Sequence, residues 1–366
     1  MYLNTLKLTN FRNYQNLKLD FPEKLTILIG PNASGKTNLL EAIQMLSFSK
    51  SFRTRSDLEV IKWGMDFCKV DGEIKTNEET QKLELLIDTS SGKFKKGVKI
   101  NSLSKRALDL IGKLPSVLFC PEDLNLITAS PYKRRKYLDM VLCQTSKRYW
   151  AALSELRKVL LARNQILKDM AEHKAEKKEL DFWDSKLIET GKLIMSLRKS
   201  MIDFYNTKLV SIYNQITGQD KYLKMAYKPS FTLPKEFSLE TIASKFKEEL
   251  EKVRWKEIVK QRTLVGPHRD DFYFLLDKKS LATFGSRGEF RSVIIALKMT
   301  EVSFLEEKLG QRPILLLDDV FSELDQERRN SLANMVGQQQ TIVTTTDILH
   351  IDRSFAEKGK VIKLPI

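Results

Sequence analysis

The feature that most constrains this chain is a pair of motifs that must meet in space although most of the sequence lies between them. Residues Gly30-Pro31-Asn32-Ala33-Ser34-Gly35-Lys36-Thr37 match G-x-x-x-x-G-K-[ST] in full. Far downstream, Pro313-Ile314-Leu315-Leu316-Leu317-Asp318-Asp319 is an apolar run ending in two carboxylates. The first motif binds phosphate only between a strand and a helix. Leu25-Thr26-Ile27-Leu28-Ile29 supplies a buried type of strand, and Leu39, Leu40, Ile43 and Leu46 recur at helical spacing. Gly30 and Gly35 permit the tight turn that aims successive N–H groups and a helix N-terminus at an anion. Lys36 adds positive charge for the outer phosphates, and the Thr37 hydroxyl is placed to ligate Mg²⁺. An ordinary glycine turn is the bland alternative; the complete strand–loop–helix order argues against it.

Asp318 ends a strand too apolar to be exposed, where a carboxylate needs a partner or a metal. With a phosphate loop in the same chain, its expected role is to hold magnesium, directly or through water. Asp319 is positioned to orient or deprotonate an attacking water. A strand-end acidic pair that merely caps a turn is the competing reading. Upstream, Phe284-Gly285-Ser286-Arg287-Gly288-Glu289 leads into the amphipathic stretch Phe290 to Leu309. Ser286 and Glu289 satisfy a capping box without any ligand. A serine at a helix N-terminus is also a good γ-phosphate contact, so both readings stay open.

Several short motifs, spread over nearly the whole length, then carry a resemblance. They are Asn10-Phe11-Arg12-Asn13-Tyr14, the phosphate loop continuing into Asn38, Phe119-Cys120-Pro121-Glu122-Asp123-Leu124, and Ser130-Pro131 with Arg134-Arg135. Gly266-Pro267-His268-Arg269-Asp270-Asp271, the Ser286 motif, and Asp318-Asp319 with Ser322-Glu323-Leu324-Asp325 complete the set. Together they resemble the RecF family of bacterial recombination-mediator ATPases, relatives of the SMC and ABC heads. The resemblance implies that Gly30 to Asn38 bind ATP, with Arg12 near the phosphates, and that Thr37 and Asp318 hold Mg²⁺. It implies that Asp319 acts where ABC proteins usually have glutamate. Ser286, Arg287 and Gly288, with Asp325 nearby, would reach the ATP of a second copy in an ATP-dependent homodimer. Gapped, junction or double-stranded DNA and the proteins RecO and RecR are the implied partners. Two departures stand out: the signature is Ser-Arg-Gly-Glu rather than Ser-Gly-Gly-Gln, and Thr344-Thr345-Thr346-Asp347 stands where many ABC heads use histidine.

The net charge of +15 favours a polyanionic partner. Candidate DNA contacts are Lys50, Arg53 and Arg55 after the phosphate-loop helix, and Lys133, Arg134, Arg135 and Lys136 opening a helical stretch. Lys93, Lys95, Lys96 and Lys99 surround two glycines in an expected hairpin or loop. Any one cluster is commonly a solvated face; no base-reading motif accompanies them, so contacts to the DNA backbone are expected. Cys68, Cys120 and Cys143 are isolated and lack C-x-x-C spacing, which points to a reducing cytoplasm rather than a zinc site. The first residues lack the apolar core of a signal peptide, and no run is long enough to cross a membrane.

Alternation of strand type dominates roughly the first 110 residues, and helical periodicity takes over between 131 and 217. Leu153, Leu156, Leu160, Leu167 and Met170 are followed, after a charged turn, by Trp183, Leu187, Ile194, Leu197, Met201 and Phe204. Two such helices pack as an antiparallel hairpin, a short analogue of an SMC coiled coil; a compact helical bundle is the alternative. The expected fold is an α/β P-loop ATPase head of ABC/SMC type with an inserted helical arm. The head halves are assigned to 1–125 and 266–366 and the arm to 126–265. A small-molecule kinase, a GTPase or the ATP-binding subunit of another ABC-type assembly are the rivals. The absence of N-K-x-D and the large insertion speak against the first two.

Overall fold

Leu3, Leu6 and Leu8 are all buried, although side chains of a strand alternate strictly between faces. A register shift between Leu3 and Thr5 reconciles them: the extra residue moves the later leucines onto the face that Leu3 occupies. The computed structural model describes residues 1–54, 56–76, 79–234 and 236–364, and Arg55 lies outside them. The chain forms two compact units, Met1–Leu124 with Ser211–Asp220 and Ser286–Ile366, and Asn125–Val210 with Lys221–Gly285.

Among the described residues the first unit holds two sheets. One is antiparallel, in the order β2-β1-β4-β5-β6-β7. Its strands are β1 (Tyr2–Phe11), β2 (Tyr14–Asp20), β4 (Phe67–Lys75), β5 (Thr80–Asp88), β6 (Lys95–Ile100) and β7 (Leu103–Lys105). The other is parallel, β14-β3-β13-β12-β8, from β3 (Leu25–Ile29), β8 (Ser116–Phe119), β12 (Ile314–Asp318), β13 (Thr341–Thr345) and β14 (Lys360–Lys363). The near-continuous apolar runs of β3, β8 and β12 are what a parallel sheet covered on both faces requires. Strands from both chain ends are interleaved in it. Helix Lys36–Phe48 lies against strands of both sheets and is buried nearly all round, which accounts for its mostly apolar sequence. Buried Gln340 fastens the ends further, accepting from the Leu3 amide at 2.7 Å and donating to the Leu3 and Pro22 carbonyls.

In the second unit, helices Lys147–Ala171 and Lys177–Thr217 form the expected hairpin; the last turns of the longer helix count with the first unit. Arg163 meets Asp184 and Tyr149 meets Arg198, the opposed progression of an antiparallel pair. A third helix, Leu239–Lys260, closes one side through Glu257, which accepts from Arg163 at 2.6 Å with both side chains fully buried. The arm therefore combines the hairpin with the compact packing that was its alternative. A small antiparallel sheet completes the unit: β9 (Leu223–Lys228), β10 (Asp271–Leu276) and β11 (Lys279–Ser280). This sheet corrects the expected return to the head at residue 266. Because β10 pairs with β9, residues 266–285 belong with the arm, and the head resumes at Ser286.

The Gly-Pro-His-Arg-Asp-Asp segment thus lies in the arm and is structural. Asp270 accepts from the Ser230 amide and the Tyr227 hydroxyl, and lies beside buried Arg198. His268 is half-buried, with Nε2 3.2 Å from the Thr263 carbonyl oxygen. Burial, with Arg269, Arg135 and Arg163 nearby, pushes its pKa down from 6.5 to about 4. Because the folded value lies below the unfolded one, this contribution to stability is complete above about pH 6.5 and is lost as pH falls toward 4. The loss is on the order of 3 kcal/mol. Urea midpoints at pH 7 and pH 4.5 should fall less for His268→Gln than for the wild type; equal falls would remove His268 as the acid-sensitive group.

Candidate nucleotide site

The two distant motifs meet at the carboxyl ends of parallel strands, where open α/β sheets place their ligands. The phosphate loop leaves β3, and its chain direction reverses through left-handed residues: Ala33 at φ 66° and Gly35 at φ 100°. Gly35 is needed for space as well as conformation, since a Cβ there would lie 2.4 Å from the Tyr14 hydroxyl oxygen. That hydroxyl and the Asn13 amide point at the Ser34 carbonyl, at 3.4 and 3.5 Å, and brace the loop from outside. Pro31, Asn32 and Ala33 are exposed, whereas Ser34 is buried with no hydrogen-bond partner for its hydroxyl among the described residues. Asn38 donates to Asn13 at 2.8 Å.

Lys36 folds back over the loop and donates to the carbonyls of Gly30 and Pro31 at 2.6 and 2.9 Å. Burial lowers its pKa, while Asp319 and Asp318 pull the other way. Thr37 donates to Asp318 Oδ1 at 3.0 Å, bridging 281 positions of sequence. Thr344, at the end of β13, donates to the same oxygen at 2.7 Å. Burial pushes the Asp318 carboxyl up, the two threonine hydroxyls pull it down, and Glu122 and Asp319 add a smaller upward push.

Asp319 follows in a left-handed conformation, φ 52°, unusual for a residue with a side chain. Its amide donates to Thr344 Oγ1 at 3.0 Å, and Ser322 donates to its carbonyl at 2.6 Å. These contacts hold the strained backbone, while Asp319 Oδ1 is buried and finds no hydrogen-bond partner among the described residues. Of the polar run that ends β13 and follows it, Thr344 joins the site through Asp318. Thr345 donates to the Asp347 carbonyl, and the Asp347 side chain caps a short turn. An orphaned buried carboxylate oxygen, a hydroxyl–carboxylate pair and a lysine over an exposed loop form a donor and acceptor set that fits a magnesium–triphosphate group.

Ser286 caps helix Arg287–Leu309 in a reciprocal box with Glu289, so the structural reading of this motif holds. Ser286 and Arg287 are exposed at the helix start. Asp325 caps helix Gln326–Met335, and its carboxylate also takes Arg328. Arg328 in turn donates to Ser292 at 2.7 Å beside Gly288, which joins the two motifs.

Three of the candidate basic residues are engaged within the protein. Arg12 is committed to Glu41, through Nε at 2.9 Å and Nη2 at 2.7 Å, and to the Glu59 carbonyl, rather than to the phosphate loop. Arg134 forks onto Asp271 at 2.6 and 2.8 Å. Arg135 is half-buried and donates to the Asp270 carbonyl at 2.8 Å. Both are internal supports, not an exposed basic face. Lys50 and Lys133 are exposed, Lys136 is half-buried, and Arg53 donates to Asn38 at 2.9 Å near Glu41. Glu41 itself escaped the sequence reading: an acid inside a helix ordinarily faces water, and only its place on a helix buried all round gave a signal.

Residues 2–360 match the model of the RecF/RecN/SMC N-terminal domain. The DNA replication and repair protein RecF of Bacillus cytotoxicus is 39% identical over 364 residues, covering 99% of this chain and 96% of that protein. The chain belongs to the RecF family. RecF of Bacillus thuringiensis strain Al Hakam is equally similar, at 39% over 365 residues. A solved structure, described as the recombination mediator protein RecF-ATPrS in the RecFOR pathway, superposes with a TM-score of 0.91 at 32% identity. It covers all of this chain, and this chain covers 96% of it. An SMC head bound to a winged-helix domain of ScpA matches at TM-score 0.53 and 13% identity, a likeness of fold alone. The RecF head thus supplies both motifs from one sheet.

The raised Asp318 carboxyl has a measurable consequence. A folded-state value above the unfolded one means that stability is greatest with the group protonated and declines as pH rises through the folded value. The charged form is therefore the one that costs stability, and a cation beside it would offset that cost. Asp318→Asn keeps an acceptor for Thr37 and Thr344 without the charge. Without nucleotide or divalent cation at pH 7.5, it should stabilise the protein by about 1 kcal/mol in thermal unfolding. A destabilised variant would show that the carboxylate is part of the packing rather than a site held at a cost.

Proposed function

We propose that this chain is an ATP-dependent DNA-binding switch of recombinational repair, a recombination mediator that closes as a dimer on gapped or junction DNA and assists recombinase loading with RecO and RecR. The observation that carries the reading is the Thr37–Asp318 bond, which joins a phosphate loop and an acidic strand end from opposite parts of the chain. Similarity to RecF structures described with ATP and ATPrS in the RecFOR pathway supports the nucleotide and the partners. Relatives named as DNA replication and repair proteins, together with the +15 charge, support DNA as the ligand.

In this reading Gly30 to Asn38 cradle the phosphates, and Lys36 leaves the two loop carbonyls to meet the outer ones. Thr37 and Asp318 would hold a magnesium ion, which would supply charge neutralisation on the phosphates. Asp319, with its buried free oxygen, orients the attacking water and receives its proton. Its side chain is one methylene shorter than glutamate, which suits slow hydrolysis and a switch rather than a motor. Ser286, Arg287 and Gly288 face the γ-phosphate bound by a second copy, with Asp325 beside that contact. ATP then stabilises the dimer because each γ-phosphate touches both subunits, and hydrolysis removes the bridge.

Sedimentation with Mg²⁺ and ATP tests the shared site. The wild type should shift from 42.4 kDa to twice that mass, while Ser286→Arg stays at the monomer mass and still binds ATP. If both proteins remain monomers, or both dimerise without regard to ATP, Ser286 is a helix cap only. Lys36→Met separates nucleotide response from DNA affinity. Its binding to a gapped duplex should match the wild type without ATP and show no ATP-dependent gain; a retained gain would contradict the switch.

A further inference from the structure

Trp63 is 96% exposed, a large apolar surface to leave in water. It is not on a loose segment. The Met65 amide closes a turn onto the Lys62 carbonyl at 3.0 Å, with Gly64 at φ +81°, so Trp63 stands at the apex. The turn is rooted through Lys62, which donates its amide to the Asn10 carbonyl at 2.8 Å and its ammonium to the Asn13 carbonyl at 2.9 Å. A second ring, Phe94, is 52% exposed at the tip of the β5–β6 hairpin. The Thr89 amide donates to the Asp66 carbonyl at 2.8 Å, and Phe67 lies opposite Asp88, so both turns sit at one end of the antiparallel sheet. That is the end whose β1–β2 turn touches the phosphate loop through Asn13. Lys93 and Lys95 flank Phe94 and are exposed, half-buried Lys62 precedes Trp63, and the acids Asp66 and Asp88 lie at the same end of the sheet, Asp88 capping the turn through the Ser90 amide.

Single exposed apolar residues are ordinary on protein surfaces. Two aromatic rings on anchored turns among lysines are a different composition: rings to stack on, cations for the phosphates between. A duplex keeps its bases stacked on one another and has no free base face to offer such rings. We propose that Trp63 and Phe94 form a stacking platform for unpaired bases of single-stranded DNA, beside the nucleotide site. The proposal rests on the DNA-binding reading above and specifies which part of a gapped substrate this surface holds.

The test uses the full-length protein with fluorescein-labelled dT20, a blunt 20-bp duplex and mant-ATP. Trp63→Ala should weaken dT20 binding about tenfold or more, leave duplex and mant-ATP binding within about twofold, and be largely rescued by Trp63→Phe. Phe94→Ala should weaken dT20 in the same direction. Tryptophan fluorescence of the wild type should be quenched by dT20 and that quench lost in Trp63→Phe. Unchanged dT20 binding in the Trp63→Ala/Phe94→Ala double variant overturns the platform and leaves the DNA-binding reading intact. A loss confined to mant-ATP reassigns the ring to the adenine of ATP, and an equal loss for duplex reduces the surface to a general contact; both overturn the proposal. A wild type that binds neither DNA removes the underlying reading along with it.

Discussion

The bond between Thr37 and Asp318 is the constraint on which the site depends. It joins a helix start to a strand end 281 positions apart, and it does so with a carboxylate that is almost wholly buried. A buried carboxylate is tolerable only while donors face it, and here the donors come from two different elements, Thr37 after β3 and Thr344 at the end of β13. The order of strands in the parallel sheet follows from the same requirement. β3 lies beside β13, and β13 beside β12, so the three side chains meet at the carboxyl ends of neighbouring central strands.

The arrangement also sets stability against readiness. Burial disfavours the charged form of Asp318, Asp319 holds a left-handed backbone with a buried oxygen unsatisfied, and Lys36 loses solvent. Each departure is small beside the apolar core formed by the buried helix Lys36–Phe48 and the strands around it. All of them lie at the carboxyl ends of neighbouring central strands, where a charged ligand could offset them together. A site assembled from several unfavourable groups is more responsive to its ligand than one already satisfied.

How much of this was legible in the sequence differs by residue. The phosphate loop, the acidic strand and the helical hairpin announce themselves through glycine placement and apolar spacing, signals that local geometry must obey. Ser286 was legible as a cap because the S-x-x-E pattern is local too. Arg12, Arg134 and Arg135 were not, because charge alone does not say whether a guanidinium faces water or an internal carboxylate; Glu41, Asp271 and the Asp270 carbonyl decide that through contacts 29, 137 and 135 positions away. The arm boundary failed for a similar reason. Gly266-Pro267 marks a break in helix, but the strand that follows pairs with β9, and strand pairing is a non-local choice.

Glu41 shows how such non-local choices bear on function. Its carboxylate, fully buried on the phosphate-loop helix, takes a bidentate grip from Arg12, a hydrogen bond from Ser51 and a longer contact from Arg53. Arg53 also reaches Asn38, Asn38 reaches Asn13, and Asn13 touches the Ser34 carbonyl. The β1–β2 turn and the basic segment after the helix are thus fastened to the buried Glu41 carboxylate by charge-assisted bonds, and neutral amide contacts at the surface extend the chain to the phosphate loop. Removing one partner would leave the buried charge undercompensated, so these segments cannot shift independently without a penalty of several kcal/mol. Glu41 therefore ties the β1–β2 turn to the basic segment directly, and the phosphate loop meets that pair at the Asn13–Ser34 contact.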